Sequence, residues 1–243
     1  LYYIMKNRII IPARLKSTRF PNKLIKLING TSLIEHICTR AKKIKHDSLI
    51  VATDDQKIKS IVDKLNIDVW FSKKKYINGT HRIAALSKDL KFNSNDNVIN
   101  IQGDEYNFSL KGVKDIIANL SLSKNKHVYT LISRSFSKNS VYNSDVVKVV
   151  VNQNNQALYF SRTPIIYRKN NEHIIHIGIY GYKASLLRDY LLFKRSPYEI
   201  SESLEQLRFI WNEVPIYCIN VSKNNSVSIN SPNDLKLAKG VLK

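Results

Sequence analysis

"RIIIPARLKSTRFPNK", residues 8–23, opens with apolar β-branched residues and turns within one residue into a loop carrying Arg14, Lys16, Arg19 and Lys23. The first four positions read as a buried strand, 8–11. Four cations just past its end must meet something negative. In sheets built from alternating strands and helices, ligands bind beyond the carboxyl ends of the strands, so this loop lies where a ligand belongs. It lacks both GxGxxG and GxxxxGK[ST] and is therefore neither a dinucleotide fingerprint nor a Walker loop. Arg14, Arg19 and Lys23, with the hydroxyls of Ser17 and Thr18, suit a triphosphate held by side chains and backbone N–H groups. A solvated charged turn is the alternative these residues leave open.

Outward from this stretch, strands alternate with helical patterns. Ser32 and Glu35 form a capping box before a helix whose apolar face is Leu33, Ile34, Ile37, Ala41 and Ile44. "LIVATDD" reads as a second strand ending in acids, Ile58, Ile61, Val62 and Leu65 as the next helical stripe, and "IDVWF" as a third strand. "SKKKYINGTHR" reads as a loop, followed by a short helix from Arg82 and the strand "NVINIQGDE". Such alternation predicts an α/β fold with a mainly parallel sheet and helices on both faces. The second half changes character: "DVVKVVVNQNNQALYFSR" is two strands joined by a polar turn, and "HIIHIGIYGYK" a further strand with alternating faces. Helices are expected at about 185–195 and 199–212, then the strand "IYCINV" and a C-terminal helix opened by Ser231, Pro232 and Asp234. No linker or repeat divides the chain. One domain over 1–243, with a β-rich excursion at about 127–182, fits best.

The chain has 39 Lys and Arg against 19 Asp and Glu, a net charge of +20, in an otherwise ordinary composition of 43% hydrophobic and 24% charged residues. That charge would suit a polyanion. The lysines are scattered, however, and rise together with Asn and Ile, as in "NQNN" and "SKNNS", which is the pattern of a diffuse solvated surface. No nucleic-acid partner is expected, and a polyanion-binding protein is the reading outside the enzyme class. Cys38 and Cys218 lie in apolar segments without a CxxC or a nearby His, as in a reduced cytoplasmic protein. No apolar run approaches the roughly 20 residues that span a bilayer, so no membrane association is expected. The start "LYYIMKNRIII" is too short and too soon polar for a secretory signal, and Met5, the only methionine, leaves residues 1–4 ahead of a usual start.

A second strand end carries chemistry. "INIQGDE" places Gln102, Asp104 and Glu105 where a buried strand emerges. A carboxylate there is a hard oxygen ligand for Mg²⁺, and Gly103 lets backbone approach a ligand closely. A helix cap or a solvated acid is the plainer alternative for Asp104; opposite a basic phosphate loop, a metal site fits better.

Taken in order, "IPARLKSTRFPNK", "NGTHR" (78–82), "NIQGDE" (100–105), "VVKVV" (146–150), "ALYFSR" (157–162), "HIGIYGY" (176–182) and "LEQLR" (204–208) resemble the 3-deoxy-manno-octulosonate cytidylyltransferase family, also called CMP-Kdo synthetases. The resemblance runs from about Arg8 to Leu237. It implies the nucleotide-diphosphosugar transferase version of the Rossmann-like α/β fold, a cytoplasmic homodimer with the β-rich excursion serving dimerisation and sugar binding, and a Mg²⁺-dependent reaction. In that reaction the anomeric hydroxyl of Kdo, an eight-carbon acidic sugar, attacks the α-phosphate of CTP and releases pyrophosphate. The product is the activated sugar for lipopolysaccharide assembly. Pro12, Ala13, Arg14, Arg19 and Lys23 match positions that meet the nucleotide, and Asn78, Gly79, Thr80 and Arg82 the loop that holds its cytidine part. Arg14, Lys23 and Asp104 would carry catalysis, Asp104 as metal ligand.

For the sugar, the resemblance implies Gln102, Glu205 and Gln206. Arg162 could pair with the Kdo carboxylate. His176 and Tyr180, four apart on a strand, face the same side. Glu202 and Gln206 would share a helix face with Glu205 beside them. Core packing for His176 and Tyr180, and solvation for the helix Glu and Gln, are the alternatives. This sequence also departs from the family pattern. Asn230-Ser231-Pro232 stands where the family has Asp-Thr-Pro, so the second metal ligand loses a charge, and Asp234 completes a capping box rather than replacing it. His81 stands for an acid, Asn78 for a Ser and Tyr106 for a Pro. A sialic-acid-type cytidylyltransferase and an inactive or slow relative remain the alternatives within the fold.

Overall fold

The structure, a computed structural model, describes residues 4–16, 20–123, 125–167, 172–221 and 226–241. The chain begins with β1 (Asn7–Ala13), a 3₁₀ turn at Lys23–Ile25, the small pair β2 (Leu27–Ile28) and β3 (Thr31–Ser32), and α1 (Leu33–Ala41). Then come β4 (Ser48–Thr53), α2 (Gln56–Asp63), β5 (Asp68–Phe71), α3 (Gly79–Asp89), β6 (Asn97–Ile101), β7 (Glu105–Tyr106) and α4 (Leu110–Leu122). The β-rich stretch holds β8 (Val128–Ser135), α5 (Lys138–Tyr142), β9 (Lys148–Val151), β10 (Ala157–Ser161) and β11 (His173–Lys183). The chain closes with α6 (Ala184–Tyr190), α7 (Pro197–Glu202), α8 (Leu207–Trp211), β12 (Ile216–Asn220), β13 (Val227–Ser228) and α9 (Pro232–Val241).

The expected α/β architecture is present. A parallel core, β6-β1-β4-β5, is extended on the β6 side by antiparallel β11, which also pairs with β8 and β9; β10 lies beyond β9, and β12 runs parallel to β8. The excursion is thus continuous with the main sheet. Alternation along β1 sorts the core into two layers. Ile9 and Ile11 pack under α1, α2 and α4, whereas Ile10 packs with Ile83 and Leu86 of α3 and Leu187 of α6. The Ser32/Glu35 capping box forms as expected, and so does the Ser231/Asp234 one. The acids after β4 are both absorbed locally: Asp55 caps α2 and Asp54 meets Arg82 at 2.9 Å.

Two helix boundaries differ from expectation. "NGTHR" is the first turn of α3 rather than a loop, because the Asn78 side chain accepts the His81 N–H at 2.8 Å and starts the helix at Gly79. The expected 199–212 helix is split. Ser203 adopts a left-handed conformation (φ 52°), ending α7 and leaving Leu204 to Gln206 as a turn before α8. Glu202 and Gln206 therefore do not share a helix face. Glu202 instead accepts from the Ser161 hydroxyl and the Arg162 N–H, both at 2.8 Å.

Candidate active site

One large cavity, about 990 Å³, opens beyond the carboxyl ends of β1 and β6, at the upper end of the roughly 300–1,000 Å³ usual for ligand sites. Pro12, Ala13, Arg14, Lys23, Asn78, Gly79 and Arg82 line it from the expected nucleotide side. Gln102, Arg162, His176, Tyr180, Glu205 and Gln206, expected at the sugar, line the same cavity, and so do Asp104 and Asn230. Residues more than 200 apart in sequence thus face one space. Thr80 does not line it: its hydroxyl lies 3.3 Å from the Tyr182 hydroxyl, and its N–H donates to Glu205 at 3.0 Å. Arg19, with Ser17 and Thr18, lies outside the described residues.

Lys23 is delivered by the 3₁₀ turn that follows Asn22, whose φ of 58° suits an Asn. Its ammonium donates to Asp104 Oδ2 at 2.5 Å and to Asn230 Oδ1 at 3.2 Å. The two oxygens are brought together by a small antiparallel ribbon. Asp104 precedes β7, Asn230 follows β13, and the Ile229 N–H donates to the Asp104 carbonyl at 2.9 Å. Buried Glu105 clamps this ribbon, accepting from Ser228 at 2.6 Å, Ser226 at 3.0 Å and the Gly178 N–H at 3.0 Å. Burial, and then the neighbouring Asp104, push its carboxyl above the usual range. Gly178 lets this clamp close: a Cβ there would stand 2.8 Å from Glu105 Oε1 and force the carboxylate to shift. Tyr106, in place of a proline, is buried edge-on to His36.

Glu205 Oε1 accepts from Gln102 Nε2 at 3.2 Å. Burial raises the Glu205 carboxyl, and its bonds to Thr80 and Gln102 counter that rise. His176 and Tyr180 do lie together, with ring centroids 5.3 Å apart, although β11 shifts register between Ile177 and Tyr180. Burial pushes the His176 imidazole down to about 3, so it is neutral. The Thr130 hydroxyl donates to the Ile179 carbonyl at 2.8 Å, which leaves its lone pair, 2.9 Å away, for the Nε2–H of His176 and makes Nδ1 the acceptor. Arg162 braces the wall instead of reaching freely into the cavity: its guanidinium donates to the carbonyls of Glu202 (2.7 Å), Ser144 (2.8 Å) and Ser203 (3.4 Å). Gln206 is buried with its Nε2 lacking a partner, and so is Nη1 of Arg82.

Residues the sequence reading did not single out hold these walls. Arg208 makes a bidentate pair with Glu199, and Glu199 lies within 3.4 Å of Asn78 Nδ2. The signal was present in "SPYE": Ser196 caps α7 by accepting the Glu199 N–H at 2.9 Å, which is how Glu199 comes to sit in the first turn. Buried Lys148 donates to the carbonyls of Asn143, Val146 and Arg162, fixing the segment before β9. His81 does not line the cavity. It accepts the Ile77 N–H through Nδ1 at 3.3 Å and packs edge-on to Tyr76, and burial lowers its pKa.

The family model for cytidylyltransferases matches residues 8–217. The chain is 35% identical to the 3-deoxy-manno-octulosonate cytidylyltransferase of Alteromonas mediterranea over 243 residues, covering 96% of this chain and 98% of that protein. It is 41% identical to that of Fusobacterium nucleatum over 206 residues, covering 84% and 83%. Among solved structures, CMP:2-keto-3-deoxy-manno-octonic acid synthetase complexed with CTP superposes with a TM-score of 0.87 at 30% identity, covering 98% of each chain. With the cytidylyltransferase family model spanning most of the chain and relatives of 35–41% identity along its length, the chain belongs to the 3-deoxy-manno-octulosonate cytidylyltransferase family of nucleotidyltransferases.

Proposed function

We propose that this protein joins CTP and Kdo to give CMP-Kdo and pyrophosphate, with Mg²⁺, as a cytoplasmic homodimer that supplies activated sugar for lipopolysaccharide assembly. The observation that carries the reading is one cavity lined by Arg14 and Lys23 together with Asp104, Asn230, Gln102, Glu205 and His176. Two anions must be brought into contact there, so the cations reduce their mutual repulsion and hold the α-phosphate in line with the attacking hydroxyl. That hydroxyl forms the new P–O bond and gives up its proton; the bond to the β-phosphate breaks, and pyrophosphate leaves with the electron pair. Arg82, held by Asp54 and against the Tyr76 ring, places a positive charge at the cavity wall. Glu205, Gln102 and the Nδ1 lone pair of neutral His176 offer partners for sugar hydroxyls.

Asp104 and Asn230 fit a hard divalent cation, because their oxygens already converge on one positive group. When bound there, Mg²⁺ would supply charge stabilisation at the phosphoryl oxygens. Exposed Phe136, Tyr142, Ile166 and Tyr167 lie along the β-rich stretch, the last three lining a groove of about 410 Å³ of mixed polar and apolar character, and this supports pairing of two copies through that face. The two free cysteines are buried, in keeping with a reducing compartment. Among the described residues no helix is long and apolar enough to cross a membrane.

The test is pyrophosphate release from CTP and Mg²⁺ with Kdo or with sialic acid, alongside sedimentation of the protein. Release with Kdo supports the reading. Release with sialic acid alone would move the assignment to that sugar, and release with neither would mark an inactive relative. Tight RNA binding at physiological salt would favour a polyanion-binding role instead.

A further inference from the structure

The Lys23 ammonium lies on the two oxygens that a divalent cation would need. Its distances to Asp104 Oδ2 (2.5 Å) and Asn230 Oδ1 (3.2 Å) are those of an ammonium donating to two acceptor oxygens. The Lys23 side chain is 11% exposed and that of Asp104 26%, so the contact is partly shielded from water. Among the described residues no group of three or more His, Cys, Asp or Glu side chains could hold a metal. A bare divalent ion arriving at this cavity would therefore find one carboxylate and one amide, both already engaged, and a positive charge beside them.

We infer that Lys23 closes the metal site of the nucleotide-free protein by occupying it, and that the triphosphate opens the site by drawing the ammonium away. The inference rests on the reading of this cavity as a CTP site. Lys23 follows the left-handed Asn22 at the start of a short 3₁₀ turn, and four rotatable side-chain bonds allow the ammonium to move several ångströms, on the order of one lysine rotamer change, without moving the backbone. A triphosphate offers it a more highly charged partner than Asp104, and once it has turned away, Asp104 and Asn230 face an open position. Nucleotide and metal then bind with positive coupling, each raising the affinity of the other by the same factor. The consequence separates this role from simple phosphate binding. Removing the lysine charge weakens CTP binding and at the same time strengthens binding of metal alone.

Mn²⁺, which shares the oxygen preference of Mg²⁺, is the probe, followed by the loss of its free-ion electron paramagnetic resonance signal and by water-proton relaxation, without turnover. The wild type, Lys23→Met, Lys23→Gln and Lys23→Met/Asp104→Asn proteins are titrated with Mn²⁺ alone, and the wild type also with CTP present and no sugar. Lys23→Gln keeps a polar donor on Asp104 and guards against loss of folding in Lys23→Met, which circular dichroism would reveal. Mn²⁺ alone is expected to bind both single variants at least about tenfold more tightly than the wild type, with the gain abolished in the double variant. The wild type is expected to form a ternary complex once CTP is added. Single variants that bind Mn²⁺ no more tightly than a wild type that does form the ternary complex would overturn the role of Lys23 alone. A wild type that forms no ternary complex would overturn the CTP reading of the cavity and this inference with it.

Discussion

Arg208 and Glu199 form a bidentate ion pair, 2.8 Å at Nε and 2.6 Å at Nη2, with side chains only 5% and 3% exposed. The pair is tied to the start of α3. Glu199 is reached by Nδ2 of Asn78, the residue that caps α3, and the Arg208 guanidinium lies 4.4 Å from the centre of the Tyr190 ring, whose hydroxyl also accepts from Asn78 at 2.8 Å. Removing one member of a buried pair strands the other charge, which costs about 3–5 kcal/mol. Glu199→Ala should therefore destabilise the protein by about that amount, and Glu199→Ala/Arg208→Met should recover part of the loss. Urea unfolding of the four proteins of this cycle checks it; strictly additive effects would show that the pair is not coupled.

Arg14 is exposed at the cavity mouth, so its truncation opens no core cavity. Arg14→Ala should lower kcat/KM for CTP by about ten- to a hundredfold, as expected for one lost charge-assisted contact of roughly 1.5–3 kcal/mol, with the melting temperature unchanged. Lys23→Ala should lower kcat/KM at least as much, and because it leaves the Asp104 carboxylate without its partner it should also lower the melting temperature. Steady-state kinetics and thermal unfolding separate the two. Arg14→Ala with full activity would make that residue a surface charge only.

Short-range signals made much of this molecule legible. The alternation of Ile9, Ile10 and Ile11, the Ser32/Glu35 box and the emergence of Asp104 from a buried strand are each written in a stretch of a few residues. What could not be read depends on partners far along the chain. Nothing local announces that Glu202 bonds with Ser161 and Arg162, some 40 residues away, or that Glu205 is held by Thr80 and Gln102; these contacts break the helix that local propensity would continue through Ser203. The same holds for Arg162, whose guanidinium braces backbone carbonyls contributed by two separate segments. The start of α3 was hidden differently. A run of lysines made "SKKKYINGTHR" look like loop, although Asn78 stood in it as a cap.

His176 sets a direction for acid sensitivity. Its folded-state pKa is depressed to about 3 by burial, below the ordinary value of 6.5, so the unfolded chain takes up a proton that the folded one refuses. The stability this neutral imidazole contributes is present above pH 6.5 and is lost as pH falls from there toward 3, at up to about 1.4 kcal/mol per pH unit for one proton. His176→Phe keeps a ring against Phe160 and Tyr180 and removes the titration. Between pH 7 and 4.5 the wild type should lose more unfolding free energy than the variant in urea titrations. Parallel losses would assign the acid sensitivity to other groups.

Asn230 offers the most direct test of the proposed Mg²⁺ site. Its Oδ1 lies 3.2 Å from the same ammonium that Asp104 holds, so Asn230→Asp would place a second carboxylate at the point where the two residues converge, without touching the backbone N–H that donates to Asp234 at 2.9 Å. Two unit charges about 4 Å apart interact by roughly 4 kcal/mol at an effective dielectric near 20, and a divalent ion by more. Desolvation of the new carboxylate and its repulsion of Asp104 oppose this gain. A net improvement of about 1–2 kcal/mol corresponds to a tenfold or somewhat larger fall in the Mg²⁺ concentration giving half-maximal rate. The variant should therefore reach half-maximal rate at lower Mg²⁺ when both proteins are titrated at saturating CTP and Kdo, and identical midpoints would mean that position 230 does not reach the metal.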